Sequence, residues 1–305
     1  MIVVLLLALL LMGIVSGNNL SACSGVMISG KVVGKNTGIG ITAVGYIAGL
    51  LMEGGFLRSS LLSGVPIIST EYAAVALASA LLVFVISNLL RLPQSLSLVL
   101  ASSAIGASLA TGYYVSTGFA MLMLSVWLAA PVISVFATML LMAAARKAIN
   151  KRHVWKTVRR IKAALIASSF LMAFVLGANT LGLIYAVMPN TQMNQFLAIA
   201  AIGLGSIFLS AGALRRIGNE IISIRYLNAA ASQFVSSLIM EAATLFGIPV
   251  AGTEVLTSSI YGAGVSYRGR LMSWKTAWSI TYEWVLTIVA GFAIAYVIGA
   301  VIVAI

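Results

Sequence analysis

Long apolar stretches follow one another along almost the whole chain, parted only by short polar or basic steps. Ten of them can be laid out: 1–25, 37–55, 68–90, 94–114 and 118–145, then 163–188, 195–212, 227–247, 250–267 and 275–304. Each is at or near the ~20 residues with which an α-helix crosses hydrocarbon. The expected fold is therefore all-α and polytopic, a chain that lives in a membrane. Met1 to Val15 opens without the basic residues of a secretory signal, so it reads as the first membrane segment.

Composition sharpens this picture. Residues are 61% hydrophobic and 8% charged, and every acidic residue is a glutamate. A mean hydropathy of +1.11 exceeds what a soluble core needs. The net charge of +12 would suggest a nucleic-acid partner in a soluble chain. Here the Lys and Arg sit mainly in loops, where they hold topology and meet anionic membrane lipid, so no nucleic acid is expected. Cys23 is the single cysteine and His153 the single histidine. One chain therefore cannot assemble a disulfide, a thiolate metal cluster or a histidine-based triad, and no Gly-rich phosphate loop with its Lys follows a strand. The chain reads as a non-enzyme without a cofactor.

The basic residues also fix orientation. Arg146, Lys147, Lys151, Arg152, Lys156, Arg159, Arg160 and Lys162 crowd the stretch 146–162, which the positive-inside rule places in the cytoplasm. With ten crossings, Lys31, Lys35, Arg91, Arg215, Arg216, Arg225, Arg268, Arg270 and Lys275 fall on that same side, and Arg58 alone falls outside. Both termini are then extracytoplasmic in a plasma-membrane protein. The linker divides a first repeat, 1–145, from a second, 163–305. Five crossings per half is an odd number, so the second copy must be inverted relative to the first. Short, small-residue-rich 94–114 and 250–267 could instead form re-entrant hairpins.

The repeat is visible in the residues. LRLPQSLSLVLASSAIGAS around Pro93 and FGIPVAGTEVLTSSIYGAG around Pro249 lie 156 residues apart, with Pro, Val, Leu, Ser-Ser and Gly-Ala in register. Gly17-Asn18-Asn19 and Gly177-Ala178-Asn179 form a second pair. Glycine weakens a helix and a buried amide needs a partner, so Gly17, Pro93, Gly177 and Pro249 are expected helix breaks, with Asn19 and Asn179 holding the broken ends. Asn19, Ser21, Ser95, Ser97, Asn179, Thr180, Thr253 and Ser258 are the candidate substrate-binding residues. Hydroxyls, amides and freed N–H groups donate to a tetrahedral oxyanion without a fixed positive charge that would trap it. The bland alternative is helix packing through small residues and interhelical amide bonds.

These motifs resemble the inorganic phosphate transporter family, sodium- or proton-coupled carriers built on an inverted repeat. GNNLSAC at Gly17–Cys23 and GANTLGL at Gly177–Leu183 stand where that family carries a GANDVAN-like signature. The steps beginning at Pro93 and Pro249 stand at its PVSTTH-like sites, GALRRIGNEI at 212–221 is similar to its basic segment, and Trp127 with Pro131 and Trp284 with Thr287 resemble its late tryptophan helices. The resemblance implies inward and outward alternation of a central site for inorganic phosphate. It also shows departures: the signature Asp, implicated in the family in sodium binding, is Leu20 and Thr180, the later Asn is Cys23 and Leu183, and the histidine positions are Leu98 and Glu254.

Asymmetric carboxylates stand in their place. Glu254, Glu241 and Glu283 fall in or near second-half spans, where a carboxylate is costly unless paired, cation-bound or protonated. They are the coupling candidates, Glu254 first, with a proton as the carried ion and sodium as the other option. Glu53 and Glu71 read as interfacial or structural, and Glu220 as a partner of Arg215 and Arg216. The expected function is proton- or sodium-coupled symport of phosphate by alternating access. Sulfate or thiosulfate permeation and an ion channel are the alternatives, and the Gly- and Ala-rich packing leaves room for a homodimer.

Overall fold

A computed structural model describes residues 1–64, 70–89, 95–113, 115–148, 154–208, 226–267 and 274–304. In order, the helices are α1 (Ile2–Ser29), α2 (Lys35–Gly64), α3 (Thr70–Leu89), α4 (Leu96–Ala110), α5 (Thr117–Ala148) and α6 (Val154–Leu176). A π-helical turn, Gly177–Leu181, joins α6 to α7 (Gly182–Ala186), and α8 (Gln192–Phe208), α9 (Tyr226–Leu245), α10 (Gly252–Tyr267) and α11 (Trp274–Ala304) follow. Each of the ten apolar stretches, where it is described, is built mainly of helix, 163–188 on the continuous α6–π–α7 rod. Among the described residues, six helices are long and apolar enough to cross a membrane by length and composition: those within Ile2–Ser29, Lys35–Ser60, Thr70–Ser87, Thr117–Ala148, Trp155–Ala186 and Trp284–Ala304. The described parts of α4, α8 and α10 are shorter, and α9 is richer in Ser, Asn and Gln, so ten equal crossings is too simple an expectation.

The molecule is apolar outside and polar within. On α5, Leu128, Phe136 and Leu140 are 75%, 60% and 72% exposed, which suits hydrocarbon and not water. Inside lie Ser16, Asn19, Ser24, Ser97, Ser103, Ser169, Asn179, Gln233 and Ser259, all buried. Many hydroxyls satisfy themselves on their own helix, as Ser24 Oγ does by donating to the Leu20 carbonyl at 2.6 Å.

Helix pairings recur at matched places. α4 packs on α11 as α10 packs on α5, α3 pairs with α4 as α9 pairs with α10, and α1 packs on α8 as α6 packs on α2. The starts of α4 and α10, at Leu96 and Gly252, keep the spacing of the two proline motifs.

The expected breaks have different fates. α1 runs through Gly17 uninterrupted. One glycine costs a helix interior only about 1 kcal/mol, which a long packed helix absorbs. Gly177 opens the π turn and leaves the rod helical. A Cβ at Gly177 would be driven into the Tyr46 carbonyl of α2, so glycine is required there by the close approach of two backbones. Pro249 does break the chain: α9 ends at Leu245 and α10 starts at Gly252. Pro93 lies outside the described residues.

Candidate functional site

Three segments meet in the interior, and each brings donors. α4 starts after Ser95, which is extended and makes no side-chain capping bond; its first intrahelical bond runs from Val99 N–H to Ser95 C=O at 3.2 Å. The N–H groups of Leu96, Ser97 and Leu98 therefore have no acceptor within the helix. α10 starts the same way, with Val255 N–H on Ala251 C=O at 3.1 Å, leaving Gly252, Thr253 and Glu254. The third segment is the π turn, whose wider ring spacing turns Asn179 and Thr180 into the interior, both buried.

Contacts tie the three together. Ser97 Oγ lies 3.5 Å from Thr180 Oγ1, a contact at the limit of hydrogen bonding that either hydroxyl can leave for a better partner. Gly252 abuts the last turn of α6, where a Cβ would strike Leu176 and come within 3.1 Å of Met240 Cε. Ala251 packs in one apolar cluster with Leu98 and Ala101 of α4 and with Met123 and Trp127 of α5, against which Trp284 also packs.

Asn179 is the best-satisfied polar group here. Its Nδ2 donates to Thr244 Oγ1 at 2.9 Å and to the Ile248 carbonyl at 3.1 Å, while its Oδ1 accepts from Val250 N–H at 2.9 Å. The amide thus clamps the Pro249 segment from both sides. Asn19 is bonded differently: its Nδ2 donates to Tyr46 Oη on α2 at 3.2 Å. Ser21 Oγ donates to the Gly17 carbonyl at 2.6 Å, turned back onto its own helix.

Two groups beside the clamp stand open. Among the described residues, Thr253 Oγ1 is buried without a hydrogen-bond partner. Glu254 is 4% exposed, and among the described residues its carboxyl has neither a hydrogen bond nor a cation. Ser258 is buried one turn further along α10. Glu241 on α9 lies apart from this cluster, beside Glu53 on α2, and among the described residues each has a buried Oε2 without a hydrogen-bond partner. Glu53 is therefore half-buried against another acid and not a lone interfacial group. Glu283 lies on α11, with its side chain outside the described residues.

Several interior residues escaped the sequence reading. Tyr46 is fully buried and takes the Asn19 amide. Gln233 of α9 accepts from Ser169 Oγ of α6 at 2.5 Å and donates to the Cys23 carbonyl of α1 at 3.1 Å, bridging three helices. Their signal was there, since a large polar side chain within an apolar span demands a partner. The partner itself is not visible in one dimension. Arg58 donates to the Met188 carbonyl at 2.8 Å, so it closes the end of α7. Among the described residues no three of His, Cys, Asp and Glu come together as a metal site.

Comparison with known proteins gives a consistent result. A profile of the Phosphate transporter family matches residues 15–295. A Bacillus subtilis (strain 168) protein described as "Probable low-affinity inorganic phosphate transporter" is 23% identical over 281 residues, covering 86% of this chain and 84% of that one. The "Sulfate permease CysP" of the same organism is 23% identical over 249 residues, covering 79% and 70%. A solved structure described as "The sodium-dependent phosphate transporter" superposes with a TM-score of 0.85 at 16% identity, over 100% of this chain and 99% of that one.

Proposed function

The chain belongs to the phosphate transporter family, and we propose that it is a secondary carrier of a small tetrahedral oxyanion, inorganic phosphate first, working by alternating access. The observation that carries this reading is the junction of two helix N-termini with a π turn, offering neutral donors around an open buried carboxyl. Free first-turn N–H groups and the positive ends of α4 and α10 attract an anion. Ser95, Ser97, Thr180 and Thr253 supply hydroxyls that add no fixed charge, so the anion is held and also released. Asn179 shapes the site by holding its walls, and Asn19 keeps the matching place in the first half.

The two halves, 1–145 and 163–305, are inverted copies joined by the cytoplasmic linker 146–162, with both chain ends outside. The matched helix pairings support this, as does the odd number of segments per half. α3–α4 and α9–α10 then form equivalent hairpins whose N-terminal turns face each other, and rocking of one repeat-derived body on the other exposes the site alternately.

Glu254 is the coupling group. A carboxylate at 4% exposure without a counter-ion must take up a proton or a cation when an anion arrives beside it. A proton fits the residues here, because Leu20 and Thr180 occupy the signature positions where the family carries acids. The superposed structure belongs to a protein described as sodium-dependent. For this chain sodium is the second option, with Glu254, Asn19 and Asn179 as its ligands. Sulfate is the second substrate reading, favoured by the similarity to a sulfate permease.

The test is uptake into proteoliposomes of phosphate or sulfate, with imposed pH or sodium gradients. Glu254→Gln keeps size and much of the hydrogen bonding but cannot exchange a proton. It should abolish accumulation driven by a pH gradient and spare exchange at equal concentrations. Full pH-driven accumulation in that variant removes Glu254 from coupling, and dependence on sodium alone overturns proton symport.

A further inference from the structure

The backbone that leads into α10 is held at three consecutive residues by side chains from elsewhere. Asn179 takes the Ile248 carbonyl and the Val250 N–H, as described. Between them, the Pro249 carbonyl accepts from Trp127 Nε1 at 2.8 Å. Trp127 belongs to α5, in the first half of the chain, is 7% exposed, and packs in the same apolar cluster as Ala251. Proline has no N–H, so residue 249 has only this carbonyl to anchor it. Upstream, α9 is closed by Gly247 N–H on the Thr244 carbonyl and Ile248 N–H on the Ala243 carbonyl, both at 2.8 Å, with Gly247 at φ +68°. The segment therefore leaves a fixed helix end, passes through the two clamps, and delivers the first turn of α10.

The turn of α5 that carries Trp127 is itself a weak place. Pro131 stands inside α5 four residues later and lacks the N–H that would bond the Trp127 carbonyl. The helix ladder misses a bond where the indole reaches across, so bending of α5 there moves the indole and with it the carbonyl it holds. We propose that Trp127 is a positioning residue of the anion site: its indole N–H latches the Pro249 carbonyl, sets the pose of the Gly252–Glu254 turn, and links the bend of first-half α5 to the second-half binding turn. This rests on the reading of that turn as part of the substrate site.

The latch is tested with a residue that keeps the ring and loses the N–H. β-(3-Benzothienyl)alanine at position 127 preserves the bulk of tryptophan, and Trp127→Phe is the genetically simple companion. Trp284→Phe is the control for loss of an indole, because Trp284 Nε1 is buried without a hydrogen-bond partner. Two readouts are taken: KM and kcat for inorganic phosphate in proteoliposomes, and thiol labelling of Ala251→Cys in a Cys23→Ala background. Ala251 is 1% exposed, so a cysteine there should be inert while the latch holds. Loss of the N–H should raise KM about tenfold, the effect of one buried hydrogen bond, with a much smaller change in kcat and a clear rise in labelling. Trp284→Phe should leave KM and labelling as in the parent. Unchanged labelling overturns the latch. Increased labelling with unchanged KM overturns its role in positioning the anion. A parent protein that neither binds nor carries phosphate or sulfate defeats the transport reading instead, and labelling then still decides whether the latch exists.

Discussion

Replacing Asn179 by Ala removes three hydrogen bonds at once and leaves two of the former partners, the Val250 N–H and the Ile248 carbonyl, buried without their bonds. Thr244 is less affected, because its hydroxyl also donates to the Met240 carbonyl at 2.8 Å. A buried hydrogen bond is worth about 0.5–1.5 kcal/mol net, and an orphaned backbone group costs about 1–3 kcal/mol, so the whole change is about 3–5 kcal/mol. At about 2–4 °C per kcal/mol for a chain of this order of size, Tm in detergent should fall by roughly 10 °C. Asn179→Asp should not rescue it. The carboxylate still accepts from Val250 N–H, but its second oxygen meets the Ile248 carbonyl where the amide donated. The assay is thermal unfolding of purified protein by tryptophan fluorescence, paired with phosphate uptake at a temperature where both proteins are folded. Uptake should fall at least tenfold, since the Pro249 segment no longer holds the α10 turn in place. An Ala variant within a degree or two of the parent and with undiminished uptake would refute the clamp.

Other outcomes follow from the same structure. In a Cys23-substituted background, cysteines placed at Lys156 or Arg159 should resist impermeant thiol reagent in intact cells, while one at exposed Gln192 reacts; the reverse labelling overturns the orientation, and labelling of both on one side breaks the inverted repeat. Gly177→Val should abolish stable expression by driving its side chain into the Tyr46 carbonyl, whereas Gly55→Ala on α2, where an added Cβ meets open space, should be tolerated, as size-exclusion profiles will show. Glu241→Gln should hold or raise Tm at neutral pH, because it sets an amide beside Glu53 where two acidic groups had faced each other; a fall of several degrees would show that the acid pair is stabilising.

The features legible in the sequence are those that a single residue imposes on its own backbone. Pro249 removes an N–H, and α9 and α10 part there. Apolar length fixes the helices, and the spacing of Leu96 with Gly252 follows the repeat read from the prolines. Features that depend on a neighbour were not legible. Gly17 and Gly177 look alike in the chain, yet one sits in a regular helix and the other begins a π turn, where Gly177 admits the backbone of α2. Glu53 and Glu241 meet across two helices far apart in sequence, and neither span carries a mark of the other. Trp127 was noticeable as an indole in an apolar helix, but its acceptor is a carbonyl in the opposite half.

In the proposed repeat the two halves share a frame and differ in how it is bonded, and this difference is where function enters. Asn19 and Asn179 occupy equivalent places, yet the first is tied to Tyr46 within the early helices and the second to the segment that launches α10. Trp127 and Trp284 stand in α5 and α11, and one indole N–H is engaged while, among the described residues, the other is buried without a partner. Leu98 and Glu254 stand at matching positions, one an apolar contact and the other a buried open carboxyl. A carrier built on inverted copies needs two arrangements of nearly equal stability that exchange the roles of its halves. Unequal side chains at equal positions let one arrangement respond to a bound ion while the other does not. Replacing Leu98 by Glu and Glu254 by Leu together moves the carboxyl to the first-half hairpin and keeps the helical frame. Coupling that survives the exchange would show that the charge alone matters, and loss of coupling with anion exchange intact would assign it to the α10 turn that Asn179 and Trp127 hold.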